Sequence, residues 1–261
     1  MNMWRTIAGL GLCGALAGCA GTSRDALYQV STIDALLAGD YDGDASLASL
    51  RRHGDFGIGT YDNLDGEMVL LDGTFYQVKA EGRVHAPDPR GETPFAVVCA
   101  FRPDRTFAVP QGADLAAVES ALDREAPNPN LFCAIRIDGT FRTMRTRSVP
   151  AQQRPFPPLK DVTSTQPTFD MENVTGTLVG FRCPPFVAGV NVPGYHLHFL
   201  SHDAARGGHV LACELVTGTA QVDVLDRFEM RLPHTADFAD ANLAVDRQGE
   251  LKRVEKGTGP R

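Results

Sequence analysis

No run of basic residues occurs anywhere in the 261-residue chain, and 32 acidic against 25 basic side chains leave a formal net charge of -7. Without a positive patch, the chain has no electrostatic footprint for a nucleic-acid backbone. No CxxC or other close cysteine pair is present, which removes the usual zinc knuckle and redox dithiol. The apolar run at the N-terminus, Ile7 to Leu16, is shorter than a bilayer-spanning helix needs. The 26 glycines and 17 prolines follow no period, so collagen and coiled coil are excluded and many tight turns are implied. What remains is a folded chain, 43% hydrophobic, long enough for one large domain or two modest ones.

Residues 1–19 read as an export signal. Arg5 supplies the positive end, and Leu16-Ala17-Gly18-Cys19 resembles a bacterial lipobox, which makes Cys19 a lipidation candidate and places the mature protein on the periplasmic membrane as a tethered lipoprotein. Cys99, Cys133, Cys183 and Cys213 sit in apolar contexts and read as buried free thiols, with a Cys183–Cys213 disulfide left open.

Ser31 or Thr32 can cap a helix through Leu37, Ala45 to Arg52 forms a second amphipathic segment, and Leu115, Val118 and Leu122 set the face of a third between Gly112 and Arg124. The rest alternates in strand language. Glu67 to Leu71 and Thr74 to Lys79 are separated by Asp72-Gly73, and Thr93 to Phe101 follows. Leu131 to Ile137 leads into Thr140 to Val149 through a second expected turn, Asp138-Gly139. After the proline-rich stretch Pro150 to Pro167, four more strands are expected: Gly176 to Arg182, Gly194 to Ser201, Gly208 to Thr217 and Ala220 to Leu232. The expected fold is α+β. It comprises two mixed-sheet subdomains with flanking helices, 25–155 and 156–261, the second carrying a strand-borne histidine site.

His196 and His198, two residues apart in an expected strand, point to one face, and Gly207-Gly208 can return the chain so that His209 faces the same centre. Three neutral imidazoles suit zinc or another divalent first-row metal. The competing assignment is satisfied core histidines, and His202 belongs to the exposed turn. Glu67 enters an otherwise apolar strand and faces either solvent or a pocket. Arg145 and Arg147 share a strand face and could receive a carboxylate, while Glu255, in a mixed-charge tail, reads by itself as solvated.

Several ordered motifs alter this balance. His53-Gly54-Asp55-Phe56-Gly57-Ile58-Gly59-Thr60, Leu64-Asp65-Gly66-Glu67, Tyr76-Gln77, Thr93-Pro94-Phe95-Ala96, Arg145-Thr146-Arg147, Gly194-Tyr195-His196-Leu197-His198-Phe199 and Gly207-Gly208-His209 together resemble the alpha-acetolactate decarboxylase family. The resemblance runs from Tyr28 into the C-terminal tail. It implies a homodimeric metal-dependent carbon–carbon lyase that converts 2-acetolactate to acetoin and carbon dioxide through a metal-stabilised enediolate. By the same resemblance His196, His198 and His209 hold zinc, Glu67 and Glu255 are further ligands or proton carriers, Arg147 meets the substrate carboxylate and Thr60 adds a hydroxyl at the wall. No organic cofactor is expected, because the substrate's own ketone is the electron sink. Two other classes remain open for a histidine site of this kind, a metal-supported binding or structural lipoprotein and a metal-dependent hydrolase or lyase of another small oxyacid.

Overall fold

The computed structural model describes residues 24–256, so the export signal and Cys19 lie outside the described residues. The first half of the chain gives β1 (Ala26–Val30), α1 (Ile33–Ala38), β2 (Ala45–Ser46), α2 (Leu47–His53), β3 (Phe56–Thr60), β4 (Glu67–Leu71), β5 (Thr74–Val78), β6 (Val84–His85), β7 (Glu92–Thr93), β8 (Ala96–Cys99), β9 (Arg105–Ala108) and α3 (Leu115–Glu125). The second half gives β10 (Phe132–Arg147), α4 (Leu159–Thr163), β11 (Thr168–Cys183), β12 (Gly194–Ser201), β13 (Gly207–Leu225), β14 (Arg227–Arg231), α5 (Ala236–Asp240) and α6 (Gln248–Lys256). Strands dominate, as their alternation implied. The three expected helices form where a polar side chain satisfies a free N-terminal N–H: Thr32 accepts from Ala35, Ser46 from Ser49 and Asp114 from Ala117.

Two large sheets result. One has the order β14-β1-β8-β3-β4-β5-β6 and the other β10-β11-β12-β13-β9. Because β13 also pairs with β10, strands β10 to β13 close on themselves. A shared apolar core lies between the sheets, with Leu27, Ile58 and Val69 from the first, Ala134, Val179 and Phe181 from the second, and Leu36, Leu251 and Val254 from helices. Leu47 and Leu50 of α2 cover the first sheet's other side, and Val118 and Leu122 of α3 cover that of the second.

Three expectations change. Asp72-Gly73 is a hairpin turn, with φ of 50° and 78°, but Asp138-Gly139 lies inside the continuous β10. There the Asp138 carboxylate accepts from Arg136 Nε at 2.7 Å and Thr177 Oγ1 at 2.7 Å, so it serves neighbours in the sheet and not a turn. Gly139 stands between Gly176 and Gly218 on the flanking strands, which lets three backbones approach closely. For the same reason Gly218 does not break β13. The chain bends at Asp226, whose N–H donates to Asp25, and β14 then joins the first sheet beside β1. Finally, the sheets do not divide at Pro150 to Pro167: β9 and β10 precede it yet belong to the second sheet, and β14 follows it yet belongs to the first. That stretch also contains α4. The division into 25–155 and 156–261 therefore follows the chain and not the sheets.

All four described cysteines are buried and free, and Cys183 and Cys213 lie in different core clusters, so no disulfide joins them. Among the described residues no helix is long and apolar enough to cross a membrane.

Candidate active site

The second sheet brings the three histidines together. His196 and His198 project from one face of β12, and the ladder sets His198 opposite His209 on β13. One ring nitrogen from each lies within 4.8 Å of the others. The approach of β13 depends on Gly208, at φ 132°, because a Cβ there would stand 2.4 Å from the Arg147 carbonyl oxygen. Burial, aided by the nearby Arg147 guanidinium, pushes His196 down to about 3; it holds His198 and His209 well below the ordinary imidazole range. All three rings are therefore neutral at pH 7, the form that ligates metals. His202 is exposed in its turn, as expected.

The rings are oriented from outside. His198 donates from Nδ1 to the Met68 carbonyl of β4 at 2.8 Å, which leaves the Nε2 lone pair facing inward. His209 donates from Nε2 to the Glu255 carbonyl at 3.1 Å. His198 Nε2, His209 Nδ1 and Glu255 Oε2 are buried without a hydrogen-bond partner among the described residues. Buried polar atoms are rarely left so. Two of these acceptors, His198 Nε2 and Glu255 Oε2, stand at a cluster whose three imidazoles each bring a ring nitrogen within 4.8 Å of the others, an arrangement that fits a bound divalent cation.

Two carboxyls and one guanidinium complete the cluster. Glu67, at the head of β4, is only 6% exposed; its Oε1 accepts from Arg147 at 3.1 Å and its Oε2 lies 3.5 Å from His198 Nε2. Glu255 arrives on α6, with Oε2 at 3.7 Å from His209 Nε2 and 3.9 Å from His196 Nε2. Burial pushes each glutamate up to about 7, partly offset by Arg147. The solvent-facing alternatives for Glu67 and Glu255 are thereby overturned. A helix and a sheet distant in sequence desolvate both.

Arg147 and Arg145 do not share an environment. Arg147 is buried against Glu67, whereas Arg145 is exposed and reaches Asp170 at 3.7 Å. The period-two argument fails because the β10–β13 register shifts between Arg145 and Thr146. Thr60 lines the cavity, but its hydroxyl donates to the Gly66 carbonyl at 2.7 Å, so toward the cavity it can only accept. Motif reasoning missed the apolar wall of this cavity of about 40 Å³, which includes Leu36, Leu64, Phe95, Leu159 and Val254. Their sequence signal is that of ordinary core residues, with which they are continuous.

Comparison with known proteins agrees with this geometry. The family model for alpha-acetolactate decarboxylase matches residues 27–245, which includes every site residue named above except Val254 and Glu255. The chain is 49% identical to the alpha-acetolactate decarboxylase of Methanosarcina mazei over 234 residues, covering 90% of this chain and 81% of that protein. It is 41% identical to that of Klebsiella aerogenes over 235 residues, covering 89% and 90%. The crystal structure of the Bacillus subtilis strain 168 enzyme superposes with a TM-score of 0.86 at 39% identity, covering 89% of this chain and all of that one. With the fold, the ordered motifs and most of the length in agreement, the chain belongs to the alpha-acetolactate decarboxylase family.

Proposed function

We propose that this protein decarboxylates 2-acetolactate to acetoin and carbon dioxide. The observation that carries the proposal is the convergence, in a family member, of three neutral histidines with two glutamates of raised pKa and a buried arginine beside one partly apolar cavity. Family membership sets aside the structural-lipoprotein and other-oxyacid alternatives.

His196, His198 and His209, with Glu67 and Glu255 beside them, would hold zinc or another divalent first-row cation, which supplies Lewis-acid charge to the substrate's hydroxyl and ketone oxygens. Arg147 orients the substrate carboxylate. Its existing pairing with Glu67 moderates that grip, so that neutral carbon dioxide can depart. As the carbon–carbon bond breaks, its electron pair moves into the adjacent ketone and an enediolate forms. Burial raises both glutamates to about 7, so whichever of the two does not ligate the cation could hold a proton near neutrality and deliver it to one face of the planar carbon, giving chiral acetoin. The apolar wall excludes water, which strengthens every charge interaction inside. The lipobox-like Leu16 to Cys19 supports export to the periplasm with Cys19 lipidated, and the family resemblance supports a homodimer.

The test is production of acetoin and carbon dioxide from racemic 2-acetolactate by the purified protein, before chelation, after chelation and after zinc restoration. Turnover that is lost on chelation and regained with zinc is expected. A folded, metal-loaded protein without turnover would overturn the proposal.

A further inference from the structure

Glu67 enters the cavity from a turn that its own backbone disfavours. Between β3 and β4, Asn63, Leu64 and Gly66 take positive φ, at 59°, 58° and 87°. Glycine does so freely and asparagine tolerates it, but Leu64 bears the contact between Cβ and carbonyl oxygen that makes left-handed leucine rare. Such a residue persists where its neighbours over-determine it. Asn63 donates its N–H to the Tyr41 carbonyl at 2.8 Å and accepts from the Gln152 N–H at 2.8 Å, and the Gly66 carbonyl accepts from Thr60.

Besides the turn's own N–H bonds from Asp65 to Asp62 and from Gly66 to Leu64, a further hold is on Asp65, two residues before Glu67. Gln77 of β5, 7% exposed, donates from Nε2 to the Asp65 carbonyl at 2.6 Å and to its carboxylate at 3.0 Å. Lys79 Nζ meets the same carboxylate at 2.8 Å, but that ion pair is partly exposed, with side chains 36% and 29% accessible. Exposed pairs of this kind contribute little. Gln77 also stands directly opposite Met68 in the ladder, and the Met68 carbonyl orients His198. Glu67 is thus bracketed, by the Gln77 side chain on one side and by the pairing of Gln77 with Met68 on the other.

We propose that Gln77 is a positioning residue for Glu67: its amide directs both N–H groups to Asp65, locks the strained turn and so fixes where the Glu67 carboxyl sits between Arg147 and His198. The kinetic part of this assignment rests on the proton-handling role given to Glu67 above; the geometric part does not. Without the amide, two Asp65 acceptors lose their buried donor. The strain at Leu64 can then be released by rotation of the peptide that follows it, which carries Glu67 away from its partners.

Gln77→Met keeps the length and burial of the side chain but cannot donate. In its crystal structure the turn is expected to relax and the 3.1 Å contact between Glu67 and Arg147 to be lost. In steady-state kinetics kcat falls about 10²-fold, the scale of a ~1 Å misplacement, while KM stays within about threefold because Arg147 and the histidines remain. The enantiomeric excess of the acetoin falls with kcat. Lys79→Ala, which spares both Gln77 bonds, stays within about twofold of the parent in kcat. A Gln77→Met protein that keeps the turn and the Glu67 contact, or that keeps kcat within about twofold while only its melting temperature drops, overturns the proposal. If the parent itself forms no acetoin, the decarboxylase assignment fails, and the crystal structures of parent and variant alone decide for or against Gln77. If Gln77→Met does not fold, Asp65→Ala removes the side-chain half of the lock at a partly exposed position. Its kcat is expected to fall about tenfold, and an unchanged value counts against the proposal.

Discussion

At the scale of single residues, desolvation does the same thing to carboxyls inside and outside the site. Asp223 on β13 is 1% exposed; its Oδ2 accepts the Arg102 N–H at 2.7 Å and its Oδ1 has no partner among the described residues. Burial pushes it from 3.8 up to about 6, against the pull of the Arg102 N–H. Between those values the unfolded chain has already released the proton that the folded chain keeps. Stability from this group is therefore lost as pH rises from 3.8 to about 6, and stays level above. Asp223→Asn abolishes that titration. The melting temperature of the variant minus that of the parent should climb across this interval and then plateau, which thermal unfolding at a series of pH values measures; a difference that does not change with pH would show that the carboxyl ionises normally.

At the scale of elements, the closed set β10 to β13 places the chemistry, and Gly208 is a point of close approach within it. The ladder pairs Arg147 with His209, and the approach requires that no Cβ stand against the Arg147 carbonyl. Gly208→Ala combines that overlap with a backbone conformation that alanine disfavours. It is expected to displace β13, reduce bound metal measured by elemental analysis, and lower kcat/KM by about 10²-fold. Full metal occupancy with unchanged kcat/KM would show that the strands accommodate the methyl group. The two Asp-Gly-Thr-Phe segments show how far local reading carries at this scale. At Asp72 the four residues make a hairpin, whereas at Asp138 they run straight through a strand: Arg136 reaches both aspartates, but Thr177 and two facing glycines supply partners that the first segment lacks.

At the scale of the whole molecule, the site is where three parts meet: Glu67 from the first sheet, the histidines and Arg147 from the second, and Glu255 from the last helix. A cation bound there ties all three together. Metal binding should therefore stabilise the fold by ~4 kcal/mol when free metal exceeds Kd a thousandfold, or several degrees in Tm for a domain of this size. Thermal unfolding with and without a chelator measures this, and an unchanged Tm would mean that the histidines hold no ion.

The sequence by itself determined the strand-rich α+β class, the three helical segments, the Asp72-Gly73 hairpin, the common face of His196 and His198 and, through ordered motifs, the family. Those depend on side-chain period, on caps a few residues away, or on motif order, all of which one chain displays directly. Only the tertiary structure decided that Glu67 is buried and Glu255 mostly shielded from solvent, that Arg147 and not Arg145 faces the cavity, and that apolar residues such as Leu64 line it. Glu67 meets an arginine 80 residues away, and the Glu255 backbone meets a histidine 46 residues away. Desolvation is set by what packs against a side chain from such distances, and a single register shift in a ladder is enough to reverse an alternation that local periodicity predicts.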